Sequence, residues 1–98
     1  MKSITDKIEE VLQESNFKTY TDAIDAAVTD ARKRGYEVDS EVLADIVGLR
    51  SSRPKNGMTT RVEPIPLTKN GKPQRQHLHI QVYNRGGTVP FELNHYIS

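Results

Sequence analysis

Residues 75–87 read RQHLHIQVYNRGG, and the alternation within this stretch decides the fold. The apolar residues Leu78, Ile80 and Val82 recur at every second position, with polar or aromatic side chains between them. Such a period of two is typical of a β-strand with one buried face. Residues 91–97, FELNHYI, repeat the pattern. We therefore expect these two segments to form an antiparallel pair.

The loop between the two strands sets their pairing register. If Asn84–Gly87 forms the loop, three apolar pairs fall on one face: Val82–Val89, Ile80–Phe91 and Leu78–Leu93. The same register places two polar pairs on the opposite face: His79–Glu92 and His77–Asn94. A slip by one residue would separate every apolar pair, so the alternation favours this arrangement.

A further strand is predicted to precede this pair. The segment Arg61–Thr68 meets the central strand through Lys69–Lys72, whose Asn-Gly centre is typical of a type I′ turn. Pro64 and Pro66 lack the N–H group that a sheet neighbour would need, so this strand is expected at an edge. The three strands together predict a meander in the order 1-2-3.

The first half of the chain predicts three helices. Each follows a residue suited to cap a helix N-terminus: Ser3 for residues 4–16, Thr19 for residues 20–34, and Asp39 for residues 40–47. The predicted fold class is therefore α+β, with three N-terminal helices packed on one face of a three-stranded antiparallel meander.

Charge divides the 98-residue chain, which is the length of a single domain. Residues 1–48 hold six Lys/Arg and eleven Asp/Glu, a net charge of −5, whereas residues 49–98 hold eight and two, a net charge of +6. We divide the domain into an acidic helical half (1–48), a basic connector (49–60) and a basic antiparallel sheet (61–98). An anionic partner is expected to bind the basic half.

The composition disfavours several functions. The chain has no cysteine, which excludes disulfides and thiolate chemistry and fits a reducing compartment such as the cytoplasm. No apolar run approaches the roughly 20 residues of a membrane-spanning helix, and the acidic start of the chain is unlike a signal peptide. We therefore expect a cytoplasmic protein with no membrane partner.

The histidines of the opening stretch raise the question of a chemical site. A zinc ion needs three or four ligands at about 2.0–2.2 Å, and this face offers two histidines and Glu92. A small ribonuclease-like enzyme would use His77 or His79 as its base, with Glu92 orienting it and Arg75 stabilising an anion. Because such a His–Glu pair is ordinary on a polar sheet face, we predict no metal, no catalytic residue and no cofactor. The enzyme hypothesis ranks third.

The leading hypothesis is a non-enzymatic module that binds nucleic acid or an acidic protein surface through the basic β half. Cations around a sheet face that displays flat side chains are what a single-strand binder uses. The predicted binding residues are Arg50, Arg53, Lys55, Arg61, Lys69, Lys72, Arg75, His77, His79, Tyr83, Arg85 and Tyr96.

The alternative is a virion or assembly protein that self-associates. The strand over residues 89–97 has no proline after Pro90, so its outer edge can pair with a strand from a second copy.

The stretch LTKNGKPQRQHLHIQVYN (residues 67–84), followed by FELNHYIS (residues 91–98), resembles the C-terminal part of small uncharacterised proteins of tailed bacteriophages, including cyanophages. The resemblance covers roughly the last third of the chain. It implies a phage accessory or virion protein that acts in the cytoplasm of a bacterial host, and it implies no functional residue.

Overall fold

The computed structural model describes residues 16–48 and 53–98. Its elements in chain order are β1 (Asn16–Phe17), α1 (Tyr20–Lys33), α2 (Ser40–Val47), β2 (Thr59–Arg61), β3 (Ile65–Lys69), β4 (Lys72–Asn84) and β5 (Phe91–Ile97). The strands form one antiparallel sheet in the order β1-β5-β4-β2, and β3 also pairs with β4. The described chain is therefore α+β.

The 13-residue strand β4 is the centre of the sheet. On one side it pairs with β5 over Leu78–Asn84, and on the other side it pairs with β3 and then with β2. Leu78, Ile80 and Val82 are all buried, with at most 3% of their surface exposed. The alternation that predicted a half-buried strand is confirmed.

Helix α1 covers the apolar face of the sheet. It begins where Thr19 Oγ1 accepts a hydrogen bond of 3.0 Å from the N–H of Asp22, as an N-cap does. Its buried residues recur three or four positions apart, which places them on one side of the helix: Tyr20, Ala23, Ile24, Ala27, Val28 and Ala31. They form one core with the buried side chains of β3, β4 and β5.

Helix α2 contacts α1 at the margin of this core. Asp39 Oδ1 accepts hydrogen bonds from the N–H groups of Glu41 (2.7 Å) and Val42 (3.3 Å), so the predicted cap is confirmed. None of the α2 side chains is fully buried. Its packing therefore stabilises the fold less than that of α1.

The prediction of three helices on a three-stranded meander is wrong. The described residues form two helices and five strands. The first predicted helix, residues 4–16, lies outside the described residues except for Asn16, which belongs to β1. β1 exists because Asn16 and Phe17 pair with Glu92 and Phe91 across the fold. Local periodicity cannot reveal such a long-range contact.

The single strand predicted over residues 61–68 is also wrong, because this segment is divided between β2 and β3. The N–H of Val62 donates to Ile80 O at 3.0 Å, whereas Ile65 pairs with Leu78. The chain thus advances by three residues from Val62 to Ile65 but by only two from Ile80 to Leu78 on β4. The extra residue interrupts the hydrogen-bond ladder, as in a β-bulge. Pro64, which has no N–H to donate, falls in the interruption.

The predicted turn and edge position of this segment agree with the structure. Lys69 pairs with Lys72, and both Asn70 (φ 51°) and Gly71 (φ 76°) have the positive φ that a type I′ turn requires. In the described sheet, β4 is the one strand that pairs with β2 and with β3, so both lie at an edge. A single bridge to Glu37 also contacts β3.

The predicted register of β4 and β5 is wrong, but the predicted faces are right. Ile80 lies opposite His95 rather than Phe91, a shift of four residues. The loop is longer than predicted and is closed by Arg85 N–H donating to Pro90 O at 2.9 Å. An even shift leaves each side chain on its original face because the side-chain period is two.

Candidate nucleic-acid interface

The sheet has an open face, opposite to the face that α1 covers. We define it by these side chains: Thr59 and Arg61 of β2, Arg75, His77, His79, Gln81 and Tyr83 of β4, and Glu92, Asn94 and Tyr96 of β5. Within residues 16–48 and 53–98, α1 packs on the other face and α2 contacts α1, so no described helix covers the open face. Tyr83 and Tyr96 are 39% and 57% exposed there.

The strand register arranges the open face in rows that cross the sheet. The rows are Thr59–Tyr83–Glu92, then Arg61–Gln81–Asn94, then His79–Tyr96. Successive rows are about 6.8 Å apart because they are two residues apart along a strand that rises about 3.4 Å per residue. The face therefore presents a polar row between two rows that contain aromatic side chains.

His79 and Tyr96 stack on each other. Their ring centroids are 4.5 Å apart and their planes are inclined by 10°. Directly opposed residues on neighbouring strands are close enough for such contact. His79 covers one side of the tyrosine ring, and more than half of the Tyr96 surface remains exposed. The pair is thus a supported aromatic platform.

A shallow depression of about 250 Å³ lies beside this platform. Its lining comes from three strands: Arg61, Val62, His79, Ile80, Gln81, Asn94 and Tyr96. The amide groups of Gln81 and Asn94 can each donate and accept hydrogen bonds, whereas the Arg61 guanidinium can only donate. The depression therefore combines an aromatic wall with a charged and polar row.

Six of the predicted cationic residues are exposed, and five of them lie on or around the open face. Arg61 and Arg75 lie on the open face itself. Lys55 in the connector, Lys72 at the start of β4 and Arg85 in the β4–β5 loop lie around the ends of the sheet. The positive charge predicted from the sequence is thus distributed along and beyond the open face.

Two further predicted cations, Lys69 and Arg53, do not lie on the open face. Lys69 places its Nζ 4.4 Å from the centre of the Tyr36 ring, beyond the end of α1. Arg53 lies near Tyr20, whose pKa is raised by burial, an effect that the charge of Arg53 partly opposes. Arg50 is outside the described residues. Lys69 and Arg53 therefore lie on the helical side of the molecule, and their predicted role in binding stays a prediction.

The arrangement expected for a ribonuclease-like site is not formed. His79 is opposite Tyr96, and Glu92 is opposite Tyr83, two rows away. The Nδ1 atom of His77 makes a local hydrogen bond of 3.1 Å with Arg75 O. The pairing of His79 with Glu92, on which that hypothesis depended, is therefore wrong.

The third histidine lies on the opposite side of the sheet. His95 Nε2 is 3.0 Å from Asp30 Oδ2 of α1, and Arg34 contacts the same carboxylate at 3.1 Å. Among the described residues, no group of three or more His, Cys, Asp or Glu side chains is placed to hold a metal ion.

The outer edge of β5, predicted as a site of self-association, is partly occupied. β1 pairs with Phe91 and Glu92 at the start of the strand. A second copy could therefore not add a strand along the whole of residues 89–97 without displacing β1.

Gln81 and Asn94 were missed as site residues. The sequence places both on the polar face, but the predicted register put Asn94 opposite His77 rather than opposite Gln81. The loop sequence marks the turn but does not fix its length. Gly86 and Gly87 both have positive φ, and Asn84 Oδ1 accepts a hydrogen bond of 2.9 Å from Gly86 N–H. Such an Asx contact followed by glycines at positive φ is typical of a turn, and it is compatible with a short or a long loop.

Within residues 16–48 and 53–98, no helix combines the length and the apolar character needed to cross a membrane. Comparisons of the chain with protein-family models, with curated proteins and with solved structures found no match. The geometry of the open face is therefore the basis on which a function can be proposed.

Proposed function

We propose that this protein binds single-stranded nucleic acid on the open face of its sheet and is not an enzyme. The observation that supports this most strongly is the exposed Tyr96 ring, which is stacked on His79 and lines the same depression as Arg61. A flat ring offers a stacking surface to an unpaired base, and a nearby guanidinium attracts the phosphate backbone.

The stacked pair lowers the cost of binding. An isolated exposed tyrosine loses side-chain freedom when a base stacks on it. Tyr96 already rests against His79, so less freedom remains to be lost. Stacking of one base on an aromatic side chain contributes about 1–3 kcal/mol.

The charges also favour this face over the helical layer. The described acids of α1 and α2 include Asp22, Asp25, Glu41 and Asp45, whereas Arg61 and Arg75 lie on the open face. The acidic side chains of the helices repel a polyanion, and the arginines of the open face attract it.

The test is fluorescence anisotropy with a labelled single-stranded RNA of ten nucleotides at low salt, with the matching DNA as a second probe. We expect Tyr96→Ala to weaken binding by about 5- to 150-fold, the equivalent of 1–3 kcal/mol. Met58→Ala is the matched control, because Met58 is 59% exposed but its strand register places it on the helical side, opposite Asn84.

Circular dichroism shows whether each variant keeps its fold. If the wild-type protein binds neither probe at low salt, the proposal is wrong. It is also wrong if Tyr96→Ala and Met58→Ala weaken binding equally.

A further inference from the structure

We propose that the depression beside Tyr96 reads one base of the bound strand and prefers guanine. This inference rests on the proposed function and adds sequence preference to it. It comes from the polar row Arg61–Gln81–Asn94, which general phosphate binding and stacking do not require.

The three side chains of this row have hydrogen-bonding capacity to offer. No hydrogen bond or ion pair of the Arg61, Gln81 or Asn94 side chains is found among the described residues. A ligand that enters the depression can therefore form hydrogen bonds with these side chains without breaking existing ones. Polar side chains that converge on a small depression fix the orientation of a bound group.

The size of the depression fits a single base. Its volume of about 250 Å³ is below the range of about 300–1,000 Å³ that is usual for larger small-molecule ligands. When one base stacks on Tyr96, the next base of the nucleic acid lies close to the depression. That neighbour can enter with one edge toward Gln81 and Asn94.

The donor pattern favours guanine among the four bases. The guanidinium of Arg61 only donates, and it fits two neighbouring acceptors best. Guanine presents such a pair, O6 and N7, on one edge, whereas adenine presents one acceptor and one donor there. The carbonyl oxygens of Gln81 and Asn94 can accept from the N1–H and N2–H₂ groups of guanine, and this completes the match.

The test compares labelled nine-nucleotide uridine RNAs whose central base is guanine, adenine or 7-deazaguanine. We expect the guanine RNA to bind at least about fivefold more tightly than the adenine RNA, which is the lower limit for a bidentate base contact. The 7-deazaguanine RNA, which lacks the N7 acceptor, should bind more weakly than the guanine RNA.

Arg61→Lys keeps the positive charge but cannot form the two parallel hydrogen bonds. We expect it to remove the preference for guanine, so that the ratio of the affinities for the guanine and adenine RNAs falls to about one. Arg75→Lys is the matched control and should keep the preference, since Arg75 does not line the depression. Guanosine monophosphate at the concentration of the RNA should not displace it, because the mononucleotide lacks the stacked neighbour.

Equal affinity for all three RNAs would overturn the inference and leave the proposed function standing. Absence of binding to any of them at low salt would overturn both. If Arg61→Lys kept the preference for guanine, the role of Arg61 would be overturned. If guanosine monophosphate displaced the RNA, the ligand would be a free nucleotide rather than a base within a single-stranded nucleic acid.

Discussion

Arg75→Gln and Lys69→Gln remove the same charge from the same half of the chain, but only the first is expected to change the salt dependence of binding. Arg75 is exposed on the open face, whereas the Lys69 ammonium lies 4.4 Å from the Tyr36 ring centre on the helical side. A cation in contact with a phosphate contributes to the salt dependence, and a cation held elsewhere does not.

The magnitude follows from the number of phosphate contacts. For single strands, the logarithm of affinity falls with the logarithm of salt concentration with a slope of about −0.7 per contact. If both arginines of the open face contact phosphate, the slope is about −1.4, and contact of all five cations on and around that face makes it about −3.5. Loss of Arg75 should make the slope shallower by about 0.7, so that the fall in affinity between 50 and 200 mM salt becomes about 2.6-fold smaller.

The assay is a series of anisotropy titrations with the ten-nucleotide RNA at four salt concentrations between 50 and 200 mM. The slope of Lys69→Gln should match that of the wild-type protein within error. If both variants made the slope shallower by the same amount, the reasoning would be refuted. Such a result would mean that the net charge of the protein, rather than phosphate contact on the open face, decides binding.

Three further predictions concern the fold that holds this face in place. Ile24→Ala, at a fully buried position of α1, should lower the free energy of unfolding by about 2–5 kcal/mol in urea denaturation, while the exposed Thr29→Ala on the same helix changes it by less than about 0.5 kcal/mol. Asp39→Ala removes the cap of α2 and should cost about 0.5–2 kcal/mol; hydrogen exchange that stays slow over α2 would contradict this. Because burial raises the pKa of Tyr20, the folded state favours the neutral phenol, so this contribution is complete below about pH 10 and is lost as the pH rises through the raised pKa. Tyr20→Phe should flatten the dependence of stability on pH above about pH 10, and an unchanged dependence would count against it.

The faces of the sheet could be predicted from the sequence, but its cross-strand rows could not. Alternation assigns Leu78 to the core and His79 to the opposite side whatever the register, provided that the shift is even. The choice between a short and a long loop decides which residues meet across the strands. The apolar pairs of the short loop were plausible, yet the loop geometry around Gly86 places Tyr96 beside His79.

The helices show the same division between local and long-range information. The caps at Thr19 and Asp39 are local signals, and both were predicted correctly. The two-residue strand β1 depends on Phe91 and Glu92 at the other end of the sequence, so no local pattern marks it. The division of the first predicted strand is likewise a long-range effect, because it depends on Val62 bonding to Ile80 and Ile65 pairing with Leu78 on β4.

The candidate site was therefore predicted in its chemistry more than in its geometry. Arg61, His79 and Tyr96 were all predicted as binding residues, and the structure brings them together around one depression. The composition of the polar row depended on the register and was missed for Gln81 and Asn94. The cations were predicted as one set, because a sequence does not show that a Lys such as Lys69 is held against an aromatic ring on the other layer.

The most direct test of the central claim is a map of backbone amide chemical shifts by two-dimensional NMR during titration with the ten-nucleotide RNA. The open-face account predicts that the largest changes fall on residues 59–61, 79–83 and 92–96, with little change along α1. Changes concentrated on α1, or a spectrum that does not change at saturating RNA, would contradict it.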